Sequence, residues 1–291
     1  MLAERRLKTT PVPTHDIDSL RDFVARHPRL AVLTGAGCST ASGIPEYRDD
    51  AGEWKHARPV QYADFVGSEA ARRRYWARSY FGWQRMAAAE PNAAHRALAG
   101  LDAAGRIEGL VTQNVDNLHR RAGSRAVIDL HGVLERVRCL GCDAVTRRAD
   151  LQRRLDEANP GFTARTGGLR PDGDVELEDA DAREFRVPAC LGCGGVLKPD
   201  VVFFGESVPR ARVEAARSRV ERADALLVAG SSLMVFSGFR FVRHAHAAGK
   251  PVAIVNRGRT RGDEFATLRL GADCGDALAA VAADYAPATP A

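Results

Sequence analysis

The 291-residue chain contains no apolar run of the about 18 residues that a membrane-spanning helix needs, so no such helix is expected. Its opening stretch, MLAERRLKTTPVPTHD, has no apolar h-region and no small-residue cleavage site, so a secretory signal is not expected. Glu4, Pro11 and Pro13 also make it a poor amphipathic presequence. A strong charge of one sign is missing too: 42 basic residues face 37 acidic ones, a net +5. Nucleic-acid binding needs a clustered basic stripe. RRLK near the start and ARRRYWAR at 71–78 read instead as solvated helix faces. There is no internal repeat. Cysteine is scarce, with six in all. Without a secretory signal, a disulfide framework is excluded as the first reading.

What is present suits a globular chain: 45% hydrophobic and 27% charged residues, long enough for one large domain or a large one with a small one. Apolar runs at 31–33, 107–112, 127–130, 225–229 and 252–255 read as strands. Helical patterns lie between them, including an aromatic-rich tract over 59–89 that reads mainly as core packing. Polar residues sit where the strands end, as ligand-binding residues do in open α/β sheets. The expected fold is α/β, a doubly wound and mostly parallel sheet. Residues 1–15 read as a loose arm.

The densest stretch is 31–48, AVLTGAGCSTASGIPEYR. A buried strand runs into a turn of small residues, Gly35-Ala36-Gly37, where a backbone can approach a bulky anion closely. Ser39, Thr40 and Ser42 stand near enough in sequence to help cradle a diphosphate. Simple turn geometry explains the bare glycines equally well. The pattern is not GxGxxG, and no acidic ribose ligand ends a strand about 20 residues on, which disfavours a dehydrogenase.

Between about 137 and 198 the texture changes. Cys139-Leu-Gly-Cys142 and Cys190-Leu-Gly-Cys193 supply four thiolates, the donor set of a tetrahedral zinc site. With no ligand position left open, the metal is expected to be structural. Val201–Phe204 is expected to resume the main sheet. His131 follows a short strand run and precedes a glycine, which makes it the candidate general base. A buried structural histidine is the other reading. Asn114 and Asp116 alternate along a short extended piece and could hold a carboxamide and a ribose hydroxyl. Arg48 could pair with a phosphate or with Asp116. Asn256 ends a strand, as residues that grip an adenosine ribose do.

Taken together, these blocks resemble the sirtuins, the NAD-dependent protein-lysine deacylases. The resemblance rests on Gly35–Arg48, Thr112–His119, His131-Gly132, both cysteine pairs, Lys198–Glu206 (KPDVVFFGE), Gly230-Ser231-Ser232-Leu233 and Asn256, in family order over about residues 20–285. Cys38, the RYWAR–GW run at 74–83 and the PDGDVEL insertion look like the class II branch, which includes the mitochondrial human member numbered four. That branch is associated with weak deacetylation, unusual acyl groups and ADP-ribosyl transfer.

The resemblance implies a Rossmann-like domain formed by 1–136 and 199–291, with a zinc module inserted at 137–198. It implies NAD as co-substrate and one structural zinc per chain. Gly35, Ala36, Gly37, Ser39 and Ser231 would meet the diphosphate, Gly230, Asn256 and Cys274 would lie near the adenosine, and Ser232 belongs to the cofactor-binding set. Tyr47 and Arg48 would close over the nicotinamide ribose, held by Gln113 and Asn114, while Asp116 reads the nicotinamide amide. His131, Asn114 and Asp116 form the implied catalytic set, and Cys139, Cys142, Cys190 and Cys193 the metal set. An acyl-lysine protein or peptide would add as a strand along Val202, Phe203, Phe204 and Gly205. The implied products are nicotinamide, lysine and 2′-O-acyl-ADP-ribose. Mono-ADP-ribosyl transfer is the alternative that shares every NAD residue; a non-enzymatic zinc module is the other. No nucleic-acid or membrane partner is expected, a monomer is the working expectation, and composition suggests a bacterial cytoplasmic protein.

Overall fold

In the computed structural model, residues 15–51, 53–55, 59–178 and 182–286 are described. The expected loose arm lies outside them apart from His15, as do residues 56–58 and the PATPA tail. In chain order the elements are α1 (Ile17–Arg26), β1 (Leu30–Thr34), α2 (Tyr62–Gly67), α3 (Glu69–Ala88), α4 (Ala93–Ala103), β2 (Ile107–Thr112), α5 (Leu118–Arg121) and β3 (Val127–Asp129). They continue with β4 (Gly132–Cys139), β5 (Val145–Arg147), α6 (Arg148–Ala158), β6 (Leu197–Val201), α7 (Arg210–Arg222), β7 (Ala225–Ala229), α8 (Phe236–Ala247), β8 (Val252–Val255), β9 (Leu268–Leu270) and α9 (Cys274–Ala282).

Helix starts follow local chemistry. The Asp16 carboxylate accepts from the Ser19 amide at α1. Asn92 and His95 form a reciprocal capping box at α4, and Asp273 accepts from Gly275 and Asp276 at α9. Each cap gives a side-chain acceptor to amides that have no partner inside the helix.

Six strands form one parallel sheet in the order β3-β2-β1-β7-β8-β9. The chain winds outward from β1 in one direction and from β7 in the other, so strand order switches between them. β1, β7 and β8 are buried along their whole length, as expected for strands covered on both faces. One face packs on α1, α4 and α9 through Leu20, Val24, Leu98, Leu101 and Leu278. The other packs on α7 and α8 through Val220, Phe239, Phe241 and Val242.

A second sheet, β5-β4-β6, is antiparallel. Its apolar face shares a core with α2, α3 and α6, where Phe65, Tyr75 and Trp76 meet Leu151, Leu155 and Leu197. The indole of Trp76 donates to the Leu197 carbonyl at 3.1 Å. The aromatic tract is therefore core, as read. The expected return to the main sheet at Val201–Phe204 does not occur: Val201 ends β6 and pairs with Gly132 of β4. An apolar strand announces its burial, not which sheet it joins. Among the described residues, no helix is long and apolar enough to cross a membrane.

Candidate active site

The cofactor end is built where strand order switches, at the carboxyl ends of β1 and β7, where open parallel sheets bind ligands. Gly35 and Gly37 run against Gly230 backbone to backbone. The Gly37 amide donates to the Gly230 carbonyl at 2.9 Å, and the Gly35 amide to Ala229 at 3.2 Å. A Cβ on Gly37 would lie 2.9 Å from the Gly230 Cα, and one on Gly35 would lie 2.7 Å from the Ser231 Cβ. Gly230 itself has φ +60°, and its Cβ would lie 2.4 Å from the Cys38 amide nitrogen. The glycines are therefore required by contact between the two loops. The Cys38 and Ser39 amides also go to loop carbonyls, so the loop offers an anion a surface free of Cβ atoms rather than those particular donors. Thr40 and Ser42, expected at the diphosphate, point elsewhere. Thr40 Oγ1 donates to Glu46, and Ser42 Oγ accepts from Asn92.

Ser39 is the hub of the next group. Its hydroxyl donates to Asp116 Oδ2 at 2.6 Å, and it accepts from Asn114 Nδ2 at 2.9 Å. Asn114 also donates to the Gly35 carbonyl. Asp116 Oδ1 accepts from the Leu118 amide at 2.9 Å. Burial pushes the Asp116 carboxyl up from its ordinary pKa, while the Ser39 and Leu118 bonds pull it back. Gln113 reaches across to Ser231, Nε2 to Oγ 2.8 Å. A Cβ on Gly238 of α8 would overlap that amide, at 2.4 Å from Oε1.

His131 stands between the two sheets. Its Nδ1 lies 2.8 Å from the Gln113 carbonyl, and its Nε2 2.8 Å from Ser237 Oγ. A carbonyl only accepts, so Nδ1 carries the hydrogen and Nε2 keeps its lone pair. Burial holds the ring down at about 4, and the Gln113 bond opposes this; Arg212 and Arg240 add to the depression. Next to it, Gly132 has φ +82°, and a Cβ there would meet the Asp200 carbonyl at 2.0 Å.

These groups open on one cavity of about 570 Å³. Apart from Thr40 and Ser42, the residues expected to touch NAD or substrate line it: Gly35, Ala36, Gly37, Ser39, Tyr47, Arg48, Gln113, Asn114, Asp116, His131, Val202, Phe203, Phe204, Gly205, Gly230, Ser231, Ser232, Asn256 and Cys274. Arg48 lies over the Trp54 ring at 4.0 Å. Tyr47, Trp54 and Phe204 meet edge to face, 5.8–6.3 Å between centroids. Phe203 turns into the small core against Phe65 and Tyr75, which leaves Phe204 as the more open ring. Cys274 Sγ lies 3.6 Å from Cys38 Sγ behind the glycine loops. Part of the 202–205 backbone is already engaged. The Val202 amide donates to His131, and the Phe204 carbonyl accepts from Tyr62.

Sequence reasoning missed Ser237, Arg240 and Asp172, all lining the cavity. Asp172 comes from the loop between α6 and β6, and its carboxyl is pushed up first by burial and then by the neighbouring Asp174. Ser237 had one weak signal, a polar residue in the first turn after a strand end.

The four cysteine sulfurs lie within 4.8 Å of one another. Cys139–Cys193 and Cys142–Cys190 are 3.5 and 3.8 Å apart. A tetrahedron with zinc–sulfur bonds of about 2.3 Å has edges of about 3.8 Å, so the set fits. A Cβ on Gly195 would lie 2.9 Å from Cys139 Sγ, so the turn needs glycine to clear the sulfurs.

Fold and cavity define a dinucleotide-dependent enzyme with a four-cysteine metal module. A family model described as the Sir2 family matches residues 35–237. An NAD-dependent protein deacetylase of Xanthomonas axonopodis pv. citri is 57% identical over 270 residues, covering 93% of this chain and 92% of the relative. A solved Sir2 structure with a p53 peptide and NAD+ has a TM-score of 0.75 at 30% identity, covering 93% of this chain and 98% of that one. Another, holding the inhibitor EX-527, 2′-O-acetyl-ADP-ribose and deacetylated p53 peptide, has a TM-score of 0.72 at 29% identity, covering 92% and 98%. The chain belongs to the Sir2 family, the sirtuins.

Proposed function

We infer that this chain is an NAD-dependent protein-lysine deacylase that moves the acyl group of a modified lysine onto ADP-ribose, releasing nicotinamide. The observation that carries the reading is the convergence of Ser39, Asn114, Asp116 and His131 on one cavity at the switch between β1 and β7. Support comes from the similar proteins named above: an NAD-dependent protein deacetylase, and Sir2 structures holding p53 peptide with NAD+ or deacetylated p53 peptide with 2′-O-acetyl-ADP-ribose.

Bound NAD supplies a leaving nicotinamide and an electrophilic ribose carbon. This chain's own residues do the rest. Gly35, Ala36, Gly37, Ser39 and Ser231 receive the diphosphate, with Ser232 beside them on the cavity wall, and Gly230, Asn256 and Cys274 the adenosine. Gln113 and Asn114 hold the ribose, and Asp116, kept in place by Ser39, reads the carboxamide. Tyr47 and Arg48 cover that ribose and exclude water. The weakly nucleophilic acyl oxygen needs close alignment, supplied by a lysine stem passing Phe204 with its peptide along Val202–Gly205. His131 takes a ribose hydroxyl proton at Nε2. The zinc of Cys139, Cys142, Cys190 and Cys193 has no open position and stays structural.

The finer assignments belong to the same proposal. The division into 1–136 with 199–291 and a module at 137–198 is one of them; the small sheet supports a second unit, but it runs from Gly132 to Val201 and shares its core with α2 and α3. Membership of the class II branch is supported by Cys38, the RYWAR–GW run and the PDGDVEL loop, whose Asp172 lines the cavity. A cytoplasmic location rests on composition.

The test is His131→Ala. Deacylation should fall by about 10²–10⁴-fold, as for loss of a general base, with nicotinamide exchange retained. Loss of NAD binding in that variant would contradict the role. Full deacylation would contradict it as well.

A further inference from the structure

The general base of this site has a second side-chain partner. His131 Nε2 sits 2.8 Å from Ser237 Oγ, and Ser237 lies in the first turn of α8 on the cavity wall, 9% exposed. Because Nδ1 must donate to the Gln113 carbonyl, Nε2 can only accept, so the Ser237 hydroxyl is the donor in the resting site. We propose that Ser237 is the positioning and proton-handling partner of His131: it donates its hydrogen to the neutral ring and turns over to accept from Nε2 once the ring is protonated. This rests on the deacylase reading above.

The physical need is visible in the surroundings. The ring is buried, and the charged groups acting on it are Arg212 from α7 and Arg240 from α8, both opposed to imidazolium. Asp200 lies 3.6 Å from Arg212 but is shared with Arg136 and Arg138, at 3.1 and 3.2 Å, so it tempers Arg212 only in part. A proton taken up at Nε2 therefore needs an acceptor close by. Once the ribose oxygen has reacted, it no longer offers a lone pair of the same strength. A serine hydroxyl is both donor and acceptor and can rotate without moving the helix. In the step itself the ribose O–H bond breaks and the Nε2–H bond forms. No covalent bond to Ser237 changes, only the direction of its hydrogen bond, and nothing is oxidised or reduced. A hydrogen bond from a cation is about twice as strong as one between neutral groups, so the hydroxyl favours the protonated ring more than the neutral one. Its removal should make His131 a poorer base. In the resting site this hydrogen bond occupies the Nε2 lone pair and holds the ring plane; the hydroxyl rotates aside as the ribose hydroxyl approaches, which frees that lone pair for the proton.

Ser237→Thr and Ser237→Val in the full zinc-loaded chain test this, because the two side chains are nearly the same size and both are branched at Cβ. Steady-state rates would be measured with an acetyl-lysine peptide and NAD, beside nicotinamide exchange. The threonine variant should keep kcat within about threefold of the parent, while the valine variant loses about tenfold in kcat with both KM values within about twofold. Exchange, which precedes base catalysis, should fall less than deacylation in the valine variant. Equal kcat for threonine and valine overturns the proposal, and so does a parallel loss in both with raised KM, which is the signature of packing alone. If the parent chain deacylates and His131→Ala abolishes it while valine matches threonine, only the Ser237 inference fails. If the parent releases no acyl group from any peptide, the deacylase reading fails and takes this inference with it.

Discussion

The two ends of this molecule are held by different physics. At the carboxyl edge of the main sheet, the loops after β1 and β7 lock through backbone contact at Gly35, Gly37 and Gly230, over strands buried along their length. The tip of the small module is the reverse. Leu191, between the second cysteine pair, is 86% exposed, and Cys142 and Cys193 are exposed too. Below the tip, Val137, Cys139, Leu151, Leu155, Phe185 and Leu197 join an apolar core. A tip without its own core depends on metal–sulfur bonds, which contribute folding free energy directly. The cavity runs from the main-sheet edge to this module's loop and draws on both.

The largest expected effect breaks the metal end. Cys193→Ser should take bound zinc from one per chain to near zero by elemental analysis and lower deacylation more than about 100-fold. The main sheet should keep its far-UV dichroism. An active, zinc-free variant would show that the module does not need its metal.

The next perturbs the cradle alone. Gly37→Ala places a methyl 2.9 Å from the Gly230 Cα, with backbone on the other side and no flexible end to yield. The KM for NAD should rise about 10–100-fold while zinc content and peptide KM hold. An unchanged NAD KM would mean that the two loops separate more easily than their contacts imply.

A smaller effect tests how the cradle is braced. Asn92 caps α4, and its Nδ2 donates to the Cys38 carbonyl at 2.8 Å and to Ser42 at 2.9 Å. Asn92→Ala removes a cap and leaves a buried carbonyl without that donor, a loss of about 2 kcal/mol read by denaturant unfolding. A loss below about 0.5 kcal/mol would show that the brace carries nothing.

The smallest concerns the loop that joins the two ends. Burial and Asp174 push the Asp172 carboxyl up to about 8. The folded chain then holds a proton that the unfolded chain has released. The resulting stability is present at low pH and is lost as pH rises through about 8. Asp172→Asn should therefore gain about 1 kcal/mol on the parent between pH 7 and 9 in unfolding experiments. Parallel pH curves for parent and variant would contradict this.

Much of the main domain was legible because its signals are local. An apolar run, then small residues, then a polar strand end marks β1, β2, β7 and β8 and the residues at their tips. The cysteine spacing likewise carried its own chemistry. The rest depends on partners distant in sequence. β9 is only Leu268-Arg269-Leu270, too short for periodicity to register. α6 carries little apolar signal, because only Leu151 and Leu155, with the buried Arg148, mark its inner face. Val201 looked like a main-sheet strand because burial does not name a neighbour. Thr40 and Ser42 seemed fit for an anion until Glu46 and Asn92 took their hydroxyls. Ser237 carried only a weak signal, because its importance comes from His131, 106 residues away.

The most direct test of the account is an acyl panel read by mass spectrometry. The purified chain and His131→Ala would each be incubated with NAD and with lysine peptides carrying acetyl, butyryl, long fatty acyl, glutaryl-type or lipoyl groups. The account expects deacylated peptide and 2′-O-acyl-ADP-ribose in equal amounts from the parent chain with at least one acyl group, and neither from His131→Ala. Intact acyl-lysine beside protein that has gained the mass of ADP-ribose would contradict it and make ADP-ribosyl transfer the activity of this cavity.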